Sequence, residues 1–452
     1  MTTRLLWAAA LLAAYTLLCA WVWRRHVRIQ AVKAAATAAL LPAADAAPPL
    51  LVLHASQTGT AEALALQTAQ ALHLAGLPVR LAPLGEIGAA DLQAARHALF
   101  IVSSYGEGDP PDAAAPFVST LMQTNASLAH LDAAVLALGD SSYQHFCGFG
   151  RALDAWLARS GANALFERIE VDREDPQALQ QWKRSLSHLA GTAELPAFQS
   201  EPFAPWRLIE RRHLNPGSAD GPVFELHFAP PLGQALPDWE AGDLAQLQIE
   251  DGPPREYTVA SLPGDCHLAL MVRQARHADG SLGLASGLLT EGLAIGASAS
   301  LRLRAHSGFR IGANAARPLV LIGNGTGLAG LRAHLKALAQ RGAASAWLIY
   351  GERQAAFDTH FATEIEAWLQ SGLLARADRL FSRDGGTERY VQHRLANELS
   401  RLREWMSDGA AIYVCGSLEG MAGGVDALLR ERFGSDEIDA WIAQGRYRRD
   451  VY

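Results

Sequence analysis

The sequence predicts an α/β protein of three folded parts behind one apolar helix. These are a doubly wound parallel-sheet domain, a small antiparallel β-barrel, and a second parallel-sheet domain that holds a nucleotide. Three observations predict this. Short apolar runs at Leu50–Leu53, Leu99–Ser103 and Val135–Leu138 each end in a polar, glycine-bearing loop, as buried parallel strands do when they feed a ligand crevice. Between Trp206 and Arg310 that pattern gives way to short strands punctuated by Gly and Pro, as in an antiparallel barrel. Leu319–Ile322 then leads through Gly323-Asn324-Gly325-Thr326-Gly327 into a helical stretch, a strand-glycine-helix unit suited to a dinucleotide pyrophosphate.

A chain of 452 residues that is half hydrophobic has room for two or three full cores. Its net charge of -7 excludes a general nucleic-acid binder, which needs a basic face to neutralise phosphates. Cys19, Cys147, Cys266 and Cys415 form no C-x-x-C pair, so no disulfide framework, iron-sulfur site or zinc site is readable from them.

Leu5–Trp23 is an uncharged run of 19 residues, which as a helix rises about 28 Å and reaches across a bilayer core. Its bulky end and the following Arg24, Arg25, Arg28 and Lys33 favour an anchor over a cleaved signal peptide. The positive-inside rule then puts the rest of the chain in the cytoplasm. An Ala/Pro-rich tether follows to Pro49.

After the first strand, Ser56-Gln57-Thr58-Gly59-Thr60 opens a helix. Three hydroxyls and the free amides of a helix start suit a phosphate, and the absence of G-K-[ST] argues against a triphosphate. Alone, the segment reads equally well as a capped strand-turn-helix. Two further loops break the tie: Tyr105-Gly106-Glu107-Gly108 and Leu138-Gly139-Asp140 with Tyr143 and Phe146. Both place an aromatic just past a strand carboxyl end, where two tyrosines can sandwich a flat ring. In the barrel, Arg255-Glu256-Tyr257-Thr258 is expected to present a cation, a ring and a hydroxyl on one strand face. Gly283-Leu284-Ala285-Ser286 opens a helix and offers a second anion cradle or a plain N-cap. In the last domain, Ser382-Arg383 at a strand end, with Arg389, Tyr390 and Gln392 behind, suits a 2′-phosphate better than a ribose hydroxyl.

With these motifs in order, about 400 of the 452 residues resemble the diflavin reductases, the family of the sulfite reductase flavoprotein subunit and NADPH-hemoprotein reductase. The resemblance implies a flavodoxin-like FMN domain joined to a ferredoxin-NADP reductase-like module. Ser56 to Thr60 would hold the FMN phosphate, Tyr105 and Tyr143 would flank its ring, and Gly106 to Gly108 with Leu138 to Asp140 and Phe146 would line its edge. FAD would rest on Arg255 to Thr258 and Gly283 to Ser286. NADPH would take Gly323, Gly325, Thr326 and Gly327 with Ser382, Arg383, Tyr390 and Gln392. Cys415, Asp450 and Thr258 would serve hydride transfer, and Tyr452 would cover the FAD ring. Two departures stand out. Asn324 and Gly330 occupy positions where the family has proline, and Phe224 to Arg255 leaves no room for the family's helical insertion.

The expected organisation is an anchor at 1–26, a tether at 27–49, an FMN domain at 50–190, a hinge at 191–203, an FAD barrel at 204–314 and an NADPH domain at 315–452. Electrons are expected to pass from NADPH to FAD to FMN and on to a heme protein. The acidic rim of Glu107, Asp109, Asp112 and Asp140 would be the docking edge, and the short hinge suggests that the FMN domain shuttles. The alternatives are the flavoprotein component of sulfite reductase, a membrane-associated ferric or quinone reductase, a dye-reducing enzyme of loose specificity, and a binding protein with relic flavin loops.

Overall fold

The computed structural model describes residues 48–124, 126–192, 195–196, 202–250, 252–342 and 345–452. The apolar run 5–23 lies outside them, as does most of the tether and of the hinge. Among the described residues no helix is long and apolar enough to cross a membrane.

The first sheet is wholly parallel. Strands β1 (Leu50–Ala55), β2 (Val79–Pro83), β3 (His97–Ser103), β4 (Asp132–Gly139) and β5 (Asn163–Ala164) run in the order β2-β1-β3-β4-β5, and β6 (Ile169–Asp172) also pairs with β4. Both faces are covered, which is why β1 reads as one continuous apolar run. Leu51 and Leu53 enter one core while Leu50 and Val52 enter the other. The strand order reverses beside β1, so the crevice opens at the carboxyl ends of β1, β3 and β4.

The second sheet is antiparallel and runs β10-β9-β12-β7-β8-β11. Its strands are β7 (Ala204–His213), β8 (Val223–Ala229), β9 (Leu244–Ile249), β10 (Gly252–Thr258), β11 (Leu268–Arg273) and β12 (Ser298–Arg304). A bridge between Val259 and Leu270 closes it into a barrel. The connection 230–243 contains no helix, as expected from the short span available there.

The third sheet is parallel in the order β15-β14-β13-β16-β17. It comprises β13 (Leu319–Asn324), β14 (Ala346–Glu352), β15 (Leu374–Phe381), β16 (Ala411–Gly416) and β17 (Tyr447–Val451). One hydrophobic cluster joins it to the barrel, with Val223, Ala260 and Met271 packed among Leu321, Leu328 and Leu331. A buried ion network crosses the same boundary: Arg332, on the helix after β13, donates to Glu225 of β8 at 2.8 Å and to Glu364. Burial pushes Glu225 up, but the hydrogen bond from His227 and the guanidiniums of Arg332 and Arg212 outweigh it and hold the carboxyl at about 2.

Candidate functional site

The turn after β1 is shaped by Ser56, whose hydroxyl accepts from the amides of Gly59 (2.9 Å) and Ala61 (3.2 Å). Gly59 has φ +88°, and a Cβ there would lie 2.5 Å from the Ala305 carbonyl of the barrel. Only glycine fits this turn. Thr58, Thr60, Tyr105, Gly106, Leu138, Gly139, Asp140, Tyr143 and Phe146 line one cavity of about 430 Å³ at the strand ends. Glu107 and Gly108 hold the two aromatic loops together from outside it. The Glu107 carboxylate accepts from the Gln144 amide at 3.1 Å, and Gly108 packs against His145. The Tyr105 hydroxyl is buried without a partner among the described residues.

The far wall of this cavity belongs to the barrel and the last domain, through Arg255, Glu256, Arg304, Leu418 and Tyr452. The two halves are pinned by side chains. Arg449 of β17 makes a two-pronged ion pair with Asp112, one arm at 3.0 Å. Gln57 donates to the Arg449 carbonyl at 3.1 Å and accepts from the Asp112 amide at 3.1 Å. Arg302 pairs with Glu174 at 2.8 Å, and Ser307 bonds to Glu62. Asp112 therefore does not belong to a free acidic rim. In this arrangement it faces a guanidinium, as the charge balance of a half-buried carboxylate requires.

Behind the cavity, Thr258 donates to Asp450 at 2.6 Å, and the Cys415 thiol lies 3.7 Å from the same carboxylate oxygen. Cys415 is fully buried, and burial together with Asp450 keeps it a thiol. Gly330 permits this approach, since a Cβ there would sit 3.0 Å from Thr258 and 3.3 Å from the Cys415 sulfur. Strand alternation corrects one expectation: Thr258 does not share a face with Arg255 and Tyr257 but points the opposite way, toward Asp450. Burial pushes the Tyr257 phenol up to about 12.

A second cavity of about 510 Å³ opens at the carboxyl ends of β13 to β16. Asn324, Gly325, Thr326, Ser382, Tyr390, Gln392 and Tyr452 line it. Gln392 Oε1 is buried there without a partner. Gly323 and Gly327 stand just behind, pressed against the Cys415 carbonyl at Cβ distances of 2.6 and 2.0 Å. Asn324, at one of the departures from the family pattern, accepts the Ser417 amide at 3.0 Å and so ties β13 to β16. Tyr452 lines both cavities, and its hydroxyl meets Thr326 at 2.8 Å.

Arg383 is not in the cleft wall. Asp220 of the β7–β8 turn holds it at 2.8 Å and also pairs with Arg353. The cations in the wall are Arg273, Arg353 and Arg389. Arg353 and Arg273 were missed by the sequence reading, although Arg353 directly follows β14 and the strand-end rule that found Ser382 applies to it equally. The turn Gly283–Ser286 lies outside both cavities, and the Ser286 hydroxyl is committed to the Ala275 amide (3.0 Å) and the Gly283 carbonyl.

The flavodoxin family matches residues 52–184, and the oxidoreductase NAD-binding domain family matches residues 321–427. The chain is 26% identical over 555 aligned positions to the sulfite reductase [NADPH] flavoprotein alpha-component of Bacillus subtilis (strain 168), covering 93% of this chain and 92% of that protein. The protein of the same name from Neisseria meningitidis serogroup C (strain 053442) is 28% identical over 557 positions, covering 91% and 92%. An alignment of 555 positions exceeds this chain's 452 residues, so at least 103 of them face a gap on its side.

Proposed function

The chain belongs to the diflavin reductase family, and from that premise we propose that it passes electrons from NADPH through FAD and FMN to a heme-protein acceptor. The observation that carries this reading is Tyr452. One ring is shared by the nucleotide cleft and the flavin cavity, with the Thr258–Asp450–Cys415 cluster packed directly behind. Ser56 to Thr60 with Tyr105 and Tyr143 would hold FMN in the cavity that Thr58, Thr60 and the two tyrosines line. Arg255 and its neighbours would hold FAD. Gly325, Thr326, Ser382, Tyr390 and Gln392 would hold NADPH, whose 2′-phosphate would meet Arg389 and Arg353.

The flavins supply the redox chemistry once bound, as cofactors do. The protein's own part is geometric and electrostatic. Asp450 stays hydrogen-bonded to Thr258 behind the two cavities that share Tyr452. Cys415 remains an uncharged thiol. The Gly330 contact packs the helix against this cluster and excludes water from behind it. The test is nucleotide choice: Arg389→Ala together with Arg353→Ala should raise KM for NADPH by roughly 10- to 100-fold while leaving KM for NADH unchanged. An equal effect on both would remove the 2′-phosphate assignment.

The names of the relatives favour a second reading of the acceptor, a sulfite reductase hemoprotein. We further place residues 5–23 as a single-pass anchor in the plasma membrane with the folded part in the cytoplasm, which suits an acceptor in or at the membrane, a quinone or ferric complex included. Deleting residues 1–26 should release a folded, flavin-bearing protein from the membrane fraction. If the full chain is already in the soluble fraction, the anchor is wrong.

A further inference from the structure

We propose that Glu352, Asp358 and His360 form a binding site for one divalent metal ion, with Zn²⁺ as the chemically matched ion, at the junction of the barrel and the nucleotide-binding domain. Glu352 ends β14, and the other two stand on the loop that follows. They are 6%, 0% and 3% exposed, and one ligand atom from each lies within 4.8 Å of the others. Two buried carboxylates are not a site by themselves. The imidazole is the observation that makes them one, because neither ring nitrogen of this buried histidine has a hydrogen-bond partner among the described residues.

Lone-pair bookkeeping supports the assignment. Glu352 accepts from Arg273 on both oxygens (2.9 and 3.2 Å) and from the Tyr350 hydroxyl at 3.1 Å. Asp358 accepts from Asn215 at 3.0 Å, Ser218 at 3.3 Å and the Gln354 amide at 3.0 Å. A carboxylate offers about four acceptor positions, two on each oxygen, so Glu352 is left with one on Oε2 and Asp358 with one on Oδ1. The surrounding donors are what ligating carboxylates carry in their outer shell.

The imidazole geometry points the same way. His360 Nε2 lies 3.3 Å from Glu352 Oε1. That is near enough for a hydrogen bond, yet the two atoms are not aligned to make one. An oxygen and nitrogen set without thiolate suits Zn²⁺, with a water in the fourth position.

The site would act as a clamp. The side-chain donors to Asp358, Asn215 and Ser218, come from the turn after β7, the guanidinium on Glu352 comes from β11, and Glu352 and Arg353 both line the nucleotide cleft. An ion here would fix the wall of that cleft to the barrel.

The rival occupant is a proton, making His360 an imidazolium with no metal, and the experiment separates the two. Full-length protein, purified in detergent without a histidine tag, is equilibrated with Zn²⁺, passed into metal-free buffer and assayed for metal by mass spectrometry. The wild type should retain one Zn²⁺ per chain, His360→Gln and Asp358→Asn should retain none, and Ser218→Ala should release it to a chromophoric chelator roughly tenfold faster. Chelation should lower the melting temperature of the wild type and leave that of His360→Gln unchanged. If either variant fails to fold, Co²⁺ decides on the wild type alone: intense ligand-field bands of a four-coordinate ion, displaced by Zn²⁺, are the expected result. A wild type that retains no metal and gives no such bands, or variants that retain as much metal as the wild type, would overturn the site.

Discussion

Removing the Asp112 carboxylate should open the molecule. Arg449 and Asp112 are 15% and 16% exposed at their side chains, and their pair joins the FMN domain to the C-terminal strand. Burial alone would lower the Arg449 pKa, but Asp112, with Tyr447 and Asp426 adding to it, holds it above its ordinary value. In Asp112→Ala the closed arrangement leaves the guanidinium with Asp426, 3.5 Å away, as its remaining carboxylate partner, whereas the open one also lets it reach water. A charge-assisted, mostly buried pair of this kind is worth about 2–3 kcal/mol. The closed-to-open ratio should therefore fall by a factor of roughly 30 to 150. Small-angle scattering of the purified protein reads the opening as a larger radius of gyration. Stopped-flow absorbance should show an unchanged first flavin reduction and slowed transfer to the second. Unchanged scattering and unchanged transfer would refute the reasoning, because the pair would then contribute nothing to docking.

Other perturbations follow from the same geometry. Thr258→Val removes the 2.6 Å donor from Asp450 and should slow flavin reduction by NADPH roughly 10- to 100-fold with bound flavin retained, as single-turnover kinetics would record. Gly327→Ala sets a methyl 2.0 Å from the Cys415 carbonyl; it should destabilise the last domain by about 3 kcal/mol, visible as a lower melting temperature, and abolish nucleotide binding. Glu225 has a folded pKa of about 2 against an ordinary 4.5. A depressed carboxyl contributes stability above its unfolded pKa, and that contribution is lost as pH falls toward the folded value. Denaturant titrations should therefore show about 3 kcal/mol disappearing between roughly pH 4.5 and 2, and Glu225→Gln should flatten that slope.

Much of this was legible in the chain. The parallel strands announced themselves because burial on both faces leaves uninterrupted apolar runs such as Leu50–Leu53, and the ligand loops followed from the strand-end rule. What stayed hidden depends on tertiary pairing. Arg449 and Asp112 are 337 residues apart, and nothing local marks either as the other's partner. Arg383 has the right neighbours to bind phosphate, yet it lies outside the cleft wall while Arg353, which shares Asp220 of a different domain with it, lines that wall. The face of Thr258 was readable, since alternation along a strand fixes it, and grouping it with Tyr257 overlooked that period. The Asp358-x-His360 spacing carried a signal that a search for cysteine motifs passes over.

The central claim is a wire that begins at the nucleotide cleft and ends at the flavin cavity. The most direct test is to quantify the flavins released from the purified protein and to mix it anaerobically with NADPH and, separately, with NADH. Equal amounts of FMN and FAD, with rapid bleaching by NADPH and slow bleaching by NADH, are the predicted result. A single flavin, or equal rates with the two nucleotides, would contradict it.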